Sequence, residues 1–243
     1  MKPLINRYPF RGPMRSRQIH SFRGFTLFYV VAGAAFLVLM VMDRGGIGRT
    51  IVKAVPVSTL IVWVLRDIRG FVRICLTGAL LGSVCGDILL DLPHAGFFIY
   101  GLAAFLAAHV CYALLFFRYA KPPEGFEKSV IAGLALFACF MVWIFRGIDP
   151  SLFGPVVLYI IVIITMSVGA LLVPADNRLL FMGALLFIAS DVILAVNKFL
   201  VTVPYGRILN ISLYFLAQLT IVLAARTLWM DRRTSASDSA RKI

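Results

Sequence analysis

The sequence predicts an all-α integral membrane protein, a bundle of eight transmembrane helices with both termini in the cytoplasm. Of its 243 residues, 61% are hydrophobic and only 14% are charged, whereas soluble domains carry roughly 25% charged residues. The mean hydropathy is +0.94. The apolar residues occur in eight runs, most of them long enough to cross a bilayer as a helix. A chain of this length has no room for a separate soluble domain, so its function must lie within the membrane.

The eight predicted spans lie near residues 24–42, 51–65, 74–92, 97–117, 129–146, 152–172, 179–198 and 208–226. The second span is short and contains Lys53 and Pro56, which are tolerated in a membrane where neighbouring helices cover them. The resulting divisions are a basic cytoplasmic arm over residues 1–23, a transmembrane domain over residues 24–226 and a polar cytoplasmic tail over residues 227–243. Within the tail, residues 234–240 are polar enough to predict disorder.

The distribution of basic residues predicts the orientation, because Lys and Arg near helix ends stay on the cytoplasmic side. With eight spans, eighteen basic residues fall on the side of the two termini and five on the opposite side. This asymmetry arises only with eight spans, so it supports the second span independently. The net charge of +13 is thus explained by membrane lipids, and no nucleic-acid partner is expected. The predicted location is the cell membrane, the inner membrane if the source is bacterial.

Two aspartates, Asp87 and Asp191, are the acidic residues that lie well inside the predicted spans. A carboxylate in a membrane costs several kcal/mol unless it is paired, hydrogen-bonded or protonated, which makes such residues functional candidates. Counted from the helix ends at about 1.5 Å per residue, both lie roughly 8–10 Å below the outer boundary. The sequence therefore predicts that the two aspartates share one chamber and are the catalytic residues of the protein.

Other polar side chains lie near this level on other helices, and we predict that they bind the substrate. Four of them reach a similar depth: Lys53, Tyr159, Tyr214 and Gln218. Asn197 would lie at the rim of the entrance, and His109 and Tyr112 would lie one helical turn deeper. Each also has a structural interpretation: the tyrosines as interfacial belt residues, Lys53 as a side chain that extends to the surface, and His109 as a hydrogen-bonded packing residue. The aspartates themselves have the alternative of a buried structural pair. The depth of a residue can be counted along its helix from the sequence. The direction in which its side chain points around the helix axis cannot be derived in this way.

Two desolvated carboxylates that repel each other favour acid/base chemistry, because one can stay protonated while the other is ionised. Such a pair serves glycosidic cleavage, and an acid-labile ether would need the same groups. We expect no metal site, since only three histidines occur and two of them, His20 and His94, lie outside the spans. A serine hydrolase is not indicated, because no G-x-S-x-G motif is present. The four cysteines are expected to be packing residues.

Five short motifs follow one another along the spans. They are Lys-x-x-Pro at the start of span 2, Gly-Asp near the end of span 3, His-x-x-Tyr on span 4, Ser-Asp on span 7 and Tyr-x-x-x-Gln on span 8. The residues in those motifs are Lys53, Pro56, Gly86, Asp87, His109, Tyr112, Ser190, Asp191, Tyr214 and Gln218. In this order, from about Lys53 to about Ala225, the chain resembles the YhhN family of eight-span membrane proteins.

This resemblance implies hydrolysis of the vinyl ether bond of lysoplasmalogen to a fatty aldehyde and a glycerophospho-alcohol. One aspartate would protonate the alkene and the other would activate water, with no assignment between them. The implied partners are a lysophospholipid substrate and membrane lipids, no cofactor is expected, and the oligomeric state stays open. Two alternatives use the same aspartates: a proton-coupled transporter of small molecules or lipids, and a structural membrane protein in which they form interhelical hydrogen bonds.

Overall fold

The computed structural model of the chain describes residues 16–42, 47–92, 96–174 and 178–240. These residues form eight helices and, within those ranges, no β-strand. The helices are α1 (Ser16–Val41), α2 (Ile47–Asp67), α3 (Gly70–Asp91), α4 (Phe97–Phe117), α5 (Gly125–Phe145), α6 (Pro150–Leu172), α7 (Leu179–Phe199) and α8 (Gly206–Ala240). All eight are long and apolar enough to cross a membrane. The protein is a multi-pass integral membrane protein, which confirms the predicted fold class.

Helix α2 is longer than the sequence predicts, and it crosses the bundle despite its polar residues. It runs from Ile47 to Asp67 with Pro56 inside it. Lys53 is buried, because its ammonium group meets a carboxylate of α3 rather than the lipid. The short span of the prediction is therefore a complete one, whose polar residues are satisfied by neighbouring helices.

Close helix pairs organise the bundle, and glycines allow the approach. Helices α3 and α4 pack against each other along their length, and so do α7 and α8. A β-carbon at Gly86 would overlap the ring of Phe105, and one at Gly183 would lie 2.7 Å from Cγ1 of Ile221. Small residues at such crossings bring backbones close enough for van der Waals packing. This packing holds the helices together in a membrane, where apolar lipid leaves no hydrophobic driving force for their association. The two aspartates lie on α3 and α7, one in each of these pairs.

Helices α3, α5 and α7 end at the same side of the bundle at which α2, α4, α6 and α8 begin. We call this side the outer end. Asp87 lies four residues before the end of α3, and Asp191 lies eight residues before the end of α7. Both aspartates are therefore in the outer half of the bundle, as counting along the sequence predicts.

The predicted tail differs from the structure. Helix α8 continues to Ala240, through the residues 234–240 for which the sequence predicts disorder. A helix that is already nucleated in the membrane extends at little cost, since each further residue adds one hydrogen bond. Of the predicted basic arm, residues 1–15 lie outside the described residues, and α1 begins at Ser16.

Candidate active site

Asp87 is buried between three helices and is fully partnered. Its side chain belongs to a residue that is 3% exposed. The ammonium of Lys53, on α2, lies 3.1 Å from Oδ1 and also donates to the backbone oxygen of Asp87 over 3.2 Å. The hydroxyl of Tyr214, on α8, donates to Oδ2 over 2.7 Å. A buried charge is tolerated when it is paired and hydrogen-bonded, so this arrangement favours an ionised Asp87.

Asp191 has a different environment. The hydroxyl of Tyr159, on α6, donates to its Oδ2 over 2.6 Å, and Nε2 of His109 lies 3.9 Å from the same oxygen. No Lys or Arg forms an ion pair with Asp191 in the described part of the chain. Its side chain is 15% exposed, and it faces a cavity. A carboxyl group without a cation in apolar surroundings is suited to hold a proton.

His109 completes this second centre, and its hydrogen bond determines which nitrogen carries hydrogen. Nδ1 donates to the carbonyl oxygen of Phe105 over 2.7 Å, because a carbonyl only accepts. In the neutral ring, Nε2 is then an acceptor. Nε2 is buried and has no hydrogen-bond partner among the described residues. The rings of Tyr159 and Phe187, with centroids 5.3 and 4.6 Å away, hold the imidazole plane in place.

An aromatic layer joins the two centres. The ring of Tyr214, which holds Asp87, lies edge-on to Phe187 at 5.5 Å and to Phe105 at 5.8 Å. Phe187 in turn contacts His109. Four of the predicted side chains therefore contact the aspartates, in two adjacent carboxylate centres separated by aromatic rings: Lys53, His109, Tyr159 and Tyr214.

An apolar cavity of about 70 Å³ opens beside Asp191. Asp191 and Tyr159 supply its polar groups, and its other lining residues are apolar. They come mainly from α4 to α7 and include Phe98, Leu102, Phe105, Met141, Ile160 and Phe199. Asp87 is absent from this lining, so of the two aspartates predicted to share a chamber only Asp191 lines this cavity. The apolar lining suits the part of a hydrocarbon chain next to a reactive group that meets the Asp191 carboxyl.

Tyr112 and Gln218 lie deeper and support the site without touching either carboxylate in the described hydrogen bonds. The hydroxyl of Tyr112 donates to Oε1 of Gln218 over 2.5 Å, and Nε2 of Gln218 donates to Oγ of Ser83 over 2.8 Å. Ser83 lies one helical turn below Asp87 on α3 and donates to the carbonyl of Ala79. We did not predict Ser83 from the sequence, although its i−4 spacing from Asp87 places it on the same face.

Asn197 lies apart from both centres. It is exposed, and its Oδ1 accepts a hydrogen bond from the backbone amide of Val203 over 3.0 Å, which shapes the connection between α7 and α8. The neighbouring Lys198 places its ammonium 5.1 Å from the ring centroid of Phe98, a cavity-lining residue. No three His, Cys, Asp or Glu side chains come together as metal ligands in the described ranges.

Comparisons with known proteins find relatives that cover most of the chain. The model of the YhhN family matches residues 48–225. The chain is 30% identical over 200 residues to lysoplasmalogenase TMEM86B of Rattus norvegicus, covering 82% of each chain. It is 30% identical over 225 residues to the Sus scrofa protein of the same name, covering 92% of this chain and 96% of that one.

A lysoplasmalogenase of Mycobacterium tuberculosis is 36% identical over 130 residues, about half of each chain. No solved structure matches the chain. The matched segment spans seven of the eight helices, from the start of α2 into α8, and includes every predicted site residue. The chain belongs to the YhhN family.

Proposed function

We propose that this protein hydrolyses the vinyl ether bond of lysoplasmalogen, releasing a fatty aldehyde and a glycerophospho-alcohol. The observation that carries the proposal is Asp191, a carboxyl group with no Lys or Arg partner among the described residues, held by Tyr159 at the wall of an apolar cavity. The relatives named lysoplasmalogenase support it, since they match most of the chain. A vinyl ether needs a proton on carbon before water can add, and this site offers a proton donor next to space for a hydrocarbon chain.

In the first step, Asp191 gives its proton to the alkene carbon that does not carry oxygen. The π electrons form the new C–H bond, and the positive charge is shared between the other alkene carbon and the ether oxygen. Tyr159 donates to the carboxylate that remains, so the developing negative charge is stabilised in place. General acid catalysis of this kind contributes roughly 10²–10⁴-fold to a rate.

In the second step, water attacks the oxocarbenium carbon. The acceptor Nε2 of His109 and Oδ2 of Asp191, 3.9 Å apart, are spaced so that one water molecule can donate to both. After attack, the proton of water passes to Asp191, which restores the acid. The hemiacetal then collapses: Asp191 gives its proton to the glycerol oxygen as the bond from carbon to that oxygen breaks. The hydroxyl oxygen forms the aldehyde carbonyl, and its proton passes to the Asp191 carboxylate, which restores the acid.

Asp87 has a supporting role in this scheme. Lys53 and Tyr214 hold it as an ionised carboxylate behind the aromatic layer. Its negative charge disfavours a second negative charge on the neighbouring Asp191. When the oxocarbenium cation forms, the fixed negative charge of Asp87 stabilises its positive charge. The two aspartates thus act as one protonated and one ionised group, with Asp191 as the acid.

The test is hydrolysis of lysoplasmenylcholine by the purified protein in heavy water. We expect a fatty aldehyde, trapped as a hydrazone, that carries one deuterium on the carbon next to the carbonyl, because protonation of that carbon is the first step. The saturated ether analogue, which has no alkene to protonate, is the control and should not be cleaved. If no vinyl ether of any headgroup releases aldehyde, the proposed function is wrong.

His109 gives a prediction about the water. In His109→Asn, the Asn amide can still donate to the Phe105 carbonyl, but no atom occupies the position of Nε2; in His109→Gln, an amide atom approaches that position. We therefore expect a larger loss of kcat in the Asn variant than in the Gln variant, with KM nearly unchanged. Methanol should also capture a larger share of the cation, as a mixed acetal, in the Asn variant.

The ratio of acetal to aldehyde is measured at fixed methanol concentration for both variants and the wild type. A purely structural His109 would lower kcat without changing this ratio, and that result would contradict a role in holding water.

A further inference from the structure

A cluster of two arginines, a threonine and an aspartate lies at the outer end of the bundle, above Asp87. Asp91, the last residue of α3, has a side chain that is 4% exposed. Its Oδ2 accepts from the hydroxyl of Thr50 over 2.5 Å, and its Oδ1 accepts from Nη2 of Arg207 over 3.0 Å. Nη2 of Arg49 lies 3.6 Å from the same Oδ1. Side chains of α2, α3 and α8 therefore converge on one carboxylate.

The charges in this cluster do not balance. Lys53, the next cation below, is matched by Asp87 at 3.1 Å. Asp91 faces both Arg49 and Arg207, so one positive charge remains without an acidic partner among the described residues. The same cluster also contains an unused hydrogen-bond donor. Nε of Arg49 is buried and has no hydrogen-bond partner in the described parts of the chain.

The cluster is also accessible. The side chain of Arg207 is 50% exposed, whereas that of Arg49 is 15% exposed. Arg207 donates to Asp91 through Nη2, and half of its side chain still faces the opening. An arginine pair at an opening is suited to an oxyanion such as phosphate, which guanidinium groups bind with two parallel hydrogen bonds. A structural ion pair would need one arginine, since Thr50 already occupies the second oxygen of Asp91.

Its position relative to the carboxylate centres matches the chemistry of a lysophospholipid. Asp91 follows Asp87 by four residues on α3, about one helical turn of roughly 5.4 Å towards the outer end. In the substrate, the vinyl ether and the phosphate are attached to opposite ends of one glycerol. Basic residues are scarce at this end of the bundle, five in the whole sequence, and two of them meet at Asp91.

We infer that Arg49 and Arg207 bind the phosphate ester of the substrate and make the enzyme prefer a phospholipid over a neutral alkenylglycerol. This inference rests on the proposed function. The phosphate diester carries one negative charge, which balances the excess positive charge of the described residues in the cluster. Phosphate bound there anchors the glycerol near the carboxylate centres while the hydrocarbon chain occupies the apolar cavity.

The test compares two substrates that differ only in the phosphoethanolamine headgroup, lysoplasmenylethanolamine and 1-O-alkenylglycerol. In Arg207→Gln we expect KM for the phospholipid to rise roughly tenfold or more, as for the loss of a charged hydrogen bond, with KM for the neutral substrate unchanged. Arg207→Lys keeps the charge but loses the two parallel hydrogen bonds of a guanidinium, so its KM for the phospholipid should be intermediate. The matched control is Arg146→Gln, another basic residue of the outer end, whose guanidinium lies over Trp143 at 5.0 Å.

A binding measurement separates this inference from the proposed function. The saturated ether analogues with and without the phosphate are titrated onto wild type and Arg207→Gln, which requires no catalysis. Selective weakening of the phosphate-bearing analogue supports the inference even if no vinyl ether is cleaved. Equal weakening of both analogues, or none, overturns it even if the enzyme is active. Competition by glycerophosphoethanolamine but not by inorganic phosphate would identify the lipid headgroup as the ligand; stronger competition by inorganic phosphate would identify a site for the free anion and overturn the assignment to substrate.

Discussion

Asp191→Asn is expected to lower kcat for lysoplasmenylcholine by roughly 10²–10⁴-fold, the contribution of a general acid. Asparagine has nearly the shape of the aspartic acid, and its oxygen can still accept the hydrogen bond from Tyr159. It has no acidic proton for the alkene carbon, so the first bond cannot form from this side chain. KM should change little, because the apolar lining of the cavity is unaltered.

The measurement is steady-state aldehyde release, with thermal unfolding recorded for each variant to confirm the fold. Asp149→Asn is the matched control: Asp149 caps helix α6 by accepting from the backbone amide of Ser151 over 2.8 Å, and Asn caps a helix equally well. Its rate should equal that of the wild type. If Asp191→Asn keeps more than half of the wild-type kcat, Asp191 is not the proton donor.

Lys53→Met is expected to destabilise the protein by about 3–5 kcal/mol, the cost of leaving one partner of a buried ion pair alone. Lys53 is 7% exposed and Asp87 is 3% exposed, so water cannot replace the lost partner. Asp87 would then have to take up a proton or remain as an uncompensated charge. Thermal and denaturant unfolding in detergent, followed by circular dichroism, measures the loss.

The double variant Lys53→Met/Asp87→Asn tests the cause. Removing both charges should restore most of the stability, because a buried pair replaced by neutral groups of similar shape costs little. Activity should stay low in the double variant, since the fixed carboxylate behind the aromatic layer is gone. If the double variant is as unstable as Lys53→Met alone, the destabilisation comes from packing rather than from the charge of Asp87.

The predictions from the sequence succeed where depth along a helix is the quantity that matters. Counting residues from helix ends places Asp87, Asp191, Lys53, Tyr159 and Tyr214 in the outer half, and the structure joins these side chains in two hydrogen-bonded centres. Depth is set by a constant rise per residue, so a span and its ends are enough to derive it.

Asp91 shows where this reasoning stops. Its position at the end of α3 predicts a solvated or capping residue. In the structure its side chain is buried by Arg49, Thr50 and Arg207 at the junction of three helices. Asn197 shows a second limit. Its position near the end of α7 predicts a residue at the entrance of the site, but its side chain accepts a hydrogen bond from the backbone amide of Val203 and lies apart from both centres.

The sequence by itself determined the number of spans and the two intramembrane aspartates, because apolar length and the cost of a charge in lipid are properties of a segment alone. The order of its motifs indicated the family. Only the tertiary structure decided that the aspartates occupy separate centres, with Asp87 paired to Lys53 and Asp191 open to the cavity. That choice depends on how each helix is rotated towards its neighbours. Rotation follows from the packing of close pairs such as α3 with α4 and α7 with α8, which no single segment contains.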